Sequence, residues 1–198
     1  MSSNYTRKNI ITLPNPNLRK KSAKVHVITK ETLQLVEDML AAAIDWENSR
    51  PHEMAVALAA VQIDRLERVV IIRNDFDKKE NQTFTVLINP EIVKAEGEIT
   101  YLQEGCLSVE DIYCNIARHS KIRVKAIDLE GREVRFKSKD SFMSHLLQHE
   151  VDHTNGFCIV DRVKKSDFKD GFFILDKKGD LKHHDYEKVK KLGILKDE

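Results

Sequence analysis

Between Thr29 and Trp46, apolar residues return every three or four positions, at Leu33, Val36, Met39, Leu40, Ala43 and Ile44. That is the spacing of one helix face, and Thr29 offers a capping oxygen before it, so a helix is expected from there to about Trp46. The same spacing recurs over 140–155, DSFMSHLLQHEVDHTN, with Asp140 or Ser141 as the cap and Gly156 just past the end. Shorter runs have a strand character: VVIIR (69–73), FTVLINP (84–90), EIVKAEG (91–97), IRVKAID (122–128) and REVRFKS (132–138). A hairpin turn is expected at 129–132, LEGR, and FCIVD (157–161) is expected to return as a strand. LPNPNLR (13–19) predicts an irregular loop, and 47–54 a polar loop ahead of the apolar segment AVALAAVQI (55–63). From 171 onward the pattern predicts a hairpin at KKGD and a short charged helix ending in a solvated terminus. The strands come in groups rather than alternating with helices, which points to an α+β fold rather than a doubly wound parallel sheet.

Composition narrows the partners. At 198 residues, 41% of them apolar and 33% charged, the chain fits a single domain over 1–198 with a sizeable core. A formal charge of +1 gives no field that would draw it to nucleic acid or an anionic membrane, and it carries no nucleic-acid motif. MSSNYTRKNIITLPNP lacks the apolar run of a signal peptide and no stretch is long enough to span a bilayer, so a cytoplasmic protein without a membrane segment is expected. The three cysteines are an odd number for a disulfide framework, which leaves each as a core residue or a ligand.

The chemistry is concentrated in His149-Glu150-x-x-His153. Residues four apart on a helix point the same way, so two imidazoles there can grip one metal ion. Glu150, a third of a turn aside, can take a proton from water at that ion without being a ligand. Of three sources of a third ligand, the first is closed. The longer metalloprotease signature would need histidine where Ile159 stands; a downstream carboxylate would be Glu187 or Glu198, both in the charged tail; and Cys106 lies upstream in EGCLS (104–108), where glycine allows a tight backbone path. Cys114 and Cys158 read as core residues, and His183 and His184 as exposed tail residues.

ALAAVQ (57–62), EGCLS (104–108) and QHEVDHTNG (148–156) resemble, in order and separation, the three signature motifs of the peptide deformylase family. NPNLR near the N-terminus and LINPEI at 87–92 extend the likeness over roughly 10–163, leaving 164–198 as a C-terminal extension. The resemblance implies mostly antiparallel strands around a central helix that carries HExxH. It implies a metal-dependent hydrolase that removes the N-formyl group from the N-terminal methionine of nascent chains and releases formate. Cys106, His149 and His153 would bind one divalent ion, Fe2+ in the cell, with Zn2+, Ni2+ or Co2+ able to replace it. Glu150 would act as general base and then acid, while Gln62 and the backbone N–H of Leu107 would stabilise the developing oxyanion. Val56, Ala57, Glu104, Phe142, His145 and Leu146 would border the substrate pocket, and N-formylmethionyl peptides, met in transient association with the ribosome, would be the partners.

The chain departs from the family pattern in places. Ala55 and Ala57 stand where motif one has glycines, and would be strained at a positive φ. Glu110 and Tyr113 replace a proline and a peptide-holding arginine, with Arg118 left as the basic residue nearby. His145 sits where apolar residues usually line the helix; it lies about 80° around the helix from His153, so it reads as a hydrogen-bonded side chain rather than a fourth ligand. Two other classes use parts of the same pattern: an N-acyl amide hydrolase with a different pocket, and a non-catalytic metal-binding protein.

Overall fold

Val69, Val70, Ile71 and Ile72 are all buried, so the strand they form must be covered on both faces. In the computed structural model, which describes residues 3–163 and 171–195, it is. Helix α1 (Lys30–Asn48) packs its Leu35, Val36, Met39 and Ala43 against Val69 and Ile71 of strand β2 (Val69–Arg73). Helix α2 (Ser141–Thr154) packs its Leu146 and Leu147 against Val70 and Ile72 on the other face. The short β1 (Ala57–Ala59) divides in the same way, Leu58 toward α1 and Ala57 and Ala59 toward α2. A 3-10 turn, Ala60–Ile63, follows it directly and completes the apolar segment expected at 55–63.

β1 and β2 begin a seven-stranded antiparallel sheet among the described residues. Its centre is a long hairpin of β3 (Phe84–Cys106) and β4 (Val109–Ile127), turning at Leu107–Ser108 with Cys106 opposite Val109. The runs expected as separate strands at 84–90 and 91–97 are therefore one strand, and it continues to Cys106. Register shifts at Ile88/Glu91, Ile92/Lys94 and Glu96/Ile99 bend it without ending it. β5 (Glu133–Lys137) pairs with the far half of β4 across the turn expected at 129–132.

α1 reaches Asn48, two residues past the expected end, and α2 is capped by Asp140, whose side chain accepts the Met143 N–H at 2.8 Å. FCIVD is not a strand. Cys158, Ile159 and Val160 are all buried and the Asp161 carboxylate accepts the Cys158 N–H at 2.7 Å, which closes the segment into a 3-10 turn at Ile159–Asp161. In the tail, β6 (Phe172–Leu175) and β7 (Leu181–His184) form the expected hairpin, followed by helix α3 (Tyr186–Lys190). That terminus is docked rather than solvated: β6 pairs with β4 at Ile112–Cys114, and Phe172, Val189 and Ile194 join Leu18, Ile116 and Ile159 in a second core. Of the extension 164–198, residues 164–170 and 196–198, Glu198 included, lie outside the described residues. Among the described residues no helix is long and apolar enough to cross a membrane.

One buried ion pair ties the first core to the loop ahead of β1. Arg73 Nη1 donates to Glu47 Oε2 at 2.7 Å, with both side chains 0% exposed. The same oxygen accepts the Ala55 N–H at 2.9 Å, and the Arg73 N–H donates to the Val56 carbonyl at 2.9 Å. Glu47→Ala would strand a guanidinium in the core, and an expected loss of about 3 to 5 kcal/mol follows. Urea unfolding measures it; a loss below about 1 kcal/mol would mean that the carbonyls around Arg73 suffice without the carboxylate.

Candidate metal centre and its cavity

Cys106 ends β3 at the turn of the β3–β4 hairpin, and α2, which contacts Thr100 and His119 through its first half, brings His153 and His149 to it further along. The result is a tight cluster: Cys106 Sγ lies 3.2 Å from His153 Nε2, which lies 3.1 Å from His149 Nε2. One potential ligand atom from each residue of this trio falls within 4.8 Å of the other two. Glu187, the other described candidate for a third ligand, belongs to α3 and is not part of it. His183 and His184 lie on β7, equally outside the cluster.

The donor set fits a divalent ion. His149 Nδ1 lies 3.0 Å from Glu104 Oε2, which turns its Nε2 toward the cluster; against the effect of burial, hydrogen bonds with Cys106 and Glu104 hold this imidazole well above its usual range, so a metal ion there would displace a proton. Burial, then the neighbouring His149, pushes His153 well below the usual imidazole range, which favours the neutral, ligand-competent form. One sulfur and two nitrogens suit Fe2+ or Zn2+, and three protein ligands leave a position open, as catalytic sites do. The remaining cysteines are unsuited to that role, because burial pushes the Cys114 and Cys158 thiols far up.

Glu104 organises the cluster from behind. Its two oxygens accept from Arg118 Nε at 2.6 Å and Nη2 at 3.0 Å, and from the Nδ1 atoms of His145 and His149 at 3.0 Å each. Burial alone would raise this carboxyl, but hydrogen bonds from His145, His149 and Arg118 outweigh it and hold it well below the usual carboxylate range. Arg118 also donates to Asp152 at 2.8 Å and is 6% exposed. The basic residue left near the altered positions therefore has its guanidinium committed inside the protein.

Glu150 and Gln62 face the cluster from two directions. Glu150 is 4% exposed, its Oε2 has no hydrogen-bond partner among the described residues, and burial pushes its carboxyl up to about 7. The Gln62 Oε1 accepts the Ala59 N–H at 2.8 Å, which leaves its amide N–H groups directed at Ser108 Oγ, 3.1 Å away, and Cys106 Sγ, 3.6 Å away.

A cavity of about 140 Å3 opens beside these groups. Val56, Ala57, Glu104, Leu107, Phe142, His145 and Leu146 line it together with Gln62, Cys106, His149 and Glu150, so the residues singled out in the sequence converge on one space. His153 alone lies behind its wall, fully buried. A second cavity, bordered by Trp46, Arg50, Glu53 and Tyr113, shares Val56, Gly105, Cys106 and Leu107 with the first. Tyr113 explains the glycine between them: a Cβ on Gly105 would come within 2.8 Å of its ring.

Thr100, Leu102, Gln103 and Ser108 contribute to the site without having been singled out. Thr100, Leu102, Glu104 and Cys106 alternate along β3, and that period of two was the available signal. The anticipated strain at Ala55 and Ala57 is absent, since neither has a positive φ and Ala57 sits in β1 at 3% exposure.

The comparisons with known proteins agree with one another. The family model described as polypeptide deformylase matches residues 7–169. A peptide deformylase of Brachyspira hyodysenteriae is 41% identical over 149 residues, covering 74% of this chain and 75% of that protein. One from Thermomicrobium roseum is 39% identical over 158 residues, covering 78% and 85%. Among solved structures, a peptide deformylase from Synechococcus elongatus in complex with actinonin aligns with a TM-score of 0.68 at 31% identity, covering 78% of this chain and 79% of that one. The Met-Ala-Ser-bound class I type b peptide deformylase of Acinetobacter baumannii aligns with a TM-score of 0.67 at 28% identity, covering 82% and 100%.

Restoring glycine at the first motif is not expected to help. Ala57→Gly should lower stability by about 0.5 to 1 kcal/mol through chain entropy, read from the denaturation midpoint, and leave KM for a formylated peptide unchanged. A lower KM would show that the alanine methyl obstructs docking after all.

Proposed function

The chain belongs to the polypeptide deformylase family and is an amide hydrolase that removes the N-formyl group of newly made polypeptides; we propose that Cys106, His149 and His153 hold its metal ion and that Glu150 and Gln62 carry the reaction. The observation behind this assignment is the convergence of one sulfur and two imidazole nitrogens within 4.8 Å at the wall of a cavity that Glu150 and Gln62 also line.

A divalent ion held by the trio supplies Lewis acidity toward water and the formyl oxygen. Glu150 takes the proton of the attacking water; its burial and unpartnered Oε2 leave a carboxylate oxygen free to accept it, and a pKa pushed up to about 7 matches the task of receiving a proton and giving it back. The same carboxyl then returns the proton to the departing amine, so formate and a free N-terminal methionine leave. As the carbonyl carbon becomes tetrahedral, negative charge grows on its oxygen. Gln62, its own oxygen tied to the Ala59 N–H, presents its amide donors to that charge, joined by the Leu107 N–H at the hairpin turn. The methionine side chain occupies the space among Val56, Phe142, His145 and Leu146, and the peptide continues past Gly105 toward the second cavity.

Fe2+ is the proposed cellular metal, with Zn2+, Ni2+ and Co2+ as substitutes; the mixed sulfur and nitrogen donor set supports the group and does not choose within it. Nascent chains as substrate support action in the cytoplasm and transient contact with the ribosome.

Formate release from formyl-Met-Ala-Ser by anaerobically purified, Fe2+-loaded protein is the direct test, with the acetyl peptide alongside. Efficient release from the formyl peptide only is expected; preference for the acetyl peptide would make the chain an N-acyl amide hydrolase of another specificity. Glu150→Ala should keep one metal per chain and lose about 10²- to 10⁴-fold in kcat, and near-normal turnover would refute its role. Cys106→Ala should no longer retain the metal through gel filtration, as elemental analysis would register; unchanged stoichiometry would remove Cys106 from the ligand set.

A further inference from the structure

Two histidines one helical turn apart share a single carboxylate. His149 reaches Glu104 Oε2 and His145 reaches Glu104 Oε1, each through Nδ1 at 3.0 Å. A carboxylate offers about four lone-pair directions. Glu104 has all of them filled, two by the Arg118 fork and one by each histidine. The His145 ring is itself pinned at the far side, where its Nε2 lies 3.0 Å from Thr100 Oγ1, which lies 3.1 Å from Ser141 Oγ at the start of α2. At 2% exposure the ring is held by these bonds on both nitrogens and cannot turn toward the cavity to meet a ligand. It is part of the cavity wall, yet both its polar atoms are spent on the protein.

We propose that His145 is a positioning residue for the metal centre: by bracketing Glu104 against Arg118 it fixes the carboxylate that orients His149, and so sets how tightly the ion is held. This rests on the ligand set proposed above. Arg118 alone holds Glu104 from one side, and it is itself drawn toward Asp152. With a leucine at 145, Oε1 would lose a donor inside a buried site, and the carboxylate would be free to rotate about its remaining fork. His149 would then lose the fixed acceptor that selects its tautomer and ring angle. Disturbing such a supporting bond typically weakens metal binding by about 10- to 100-fold.

The test compares wild type, His145→Leu, His145→Asn and Thr100→Val, each titrated with Zn2+ alone against a competing chelator. Metal-free thermal unfolding is recorded in parallel. Asparagine places an amide N–H where Nδ1–H stood, so it should restore the bond to Glu104 without restoring the ring. The expected result is a Zn2+ Kd at least about tenfold weaker in His145→Leu, a value within about threefold of wild type in His145→Asn, and a smaller weakening in Thr100→Val. A merely structural histidine would lower the unfolding temperature of the metal-free protein and leave the Kd alone. An unchanged Kd in His145→Leu, or an equal loss in the asparagine variant, overturns the proposal. Should the leucine variant fail to fold, an unchanged Kd in Thr100→Val overturns it in its place. Cys106→Ala in the same titration separates the two readings: if it binds Zn2+ like wild type, the ligand set has failed, whereas if it loses binding while His145→Leu keeps it, only the role of His145 has failed.

Discussion

A carboxylate buried behind a cluster of one cysteine and two histidines can stay ionised only if enough donors reach it, and that constraint shapes everything around Glu104. Its four hydrogen bonds draw on two elements: Arg118 comes from β4, and His145 and His149 from α2, while Glu104 itself belongs to β3. Satisfying one charge therefore locks the helix that carries HExxH onto the hairpin that carries Cys106. Asp152, on the same helix, takes the remaining arm of Arg118 and two further bonds from Arg162. Such a network is costly to break at Glu104 or Arg118, because deleting either leaves the other's charge buried and short of partners.

Around this polar centre the apolar layers do ordinary work. β2 sits between α1 and α2 with both faces buried, which gives the sheet edge that carries Val56, Ala57 and Gln62 a rigid support. The Glu47–Arg73 pair then fastens the preceding loop through the Ala55 N–H. The departures in the first motif fall inside this supported stretch. Alanines are accommodated there because the backbone runs extended into β1, where a Cβ carries no conformational penalty.

Both helices around the site were legible in the sequence, because each has an uninterrupted three-and-four spacing and a polar cap in front of it. The three motifs together also pointed to Cys106, His149 and His153 as one group, and the structure brings them close to one another. The middle of the sheet was not. Buried positions alternate along β4 at Ile112, Cys114, Ile116, Arg118, Ile122, Val124 and Ala126, yet the charged member of that series breaks the apolar rhythm. Glu104 does the same to the end of β3. A pattern-based reading assigns charge to the outside, so the ion pair that secures the centre also hid the strands that bear it. FCIVD erred in the opposite direction: a short, wholly buried apolar run looks like a strand until a carboxylate three residues on closes it into a turn. The docked tail was missed because one of its anchors, Val189, stands singly between lysines and the other, Ile194, falls in a short apolar run without helical or strand period.

The β3–β4 hairpin has a temporal meaning as well as a spatial one. Cys106 lies at its turn, where Cys106 and Val109 pair across a gap the chain closes locally, so this thiol is placed by contacts of low sequence separation. The two histidines arrive on a helix some forty residues later in the chain, and the bond from His149 to Glu104 spans a separation of 45 residues. Closing that larger loop is the slower event. Cys106 and the two histidines therefore meet only where that larger loop closes, so the cluster depends on long-range contacts that the hairpin alone does not supply.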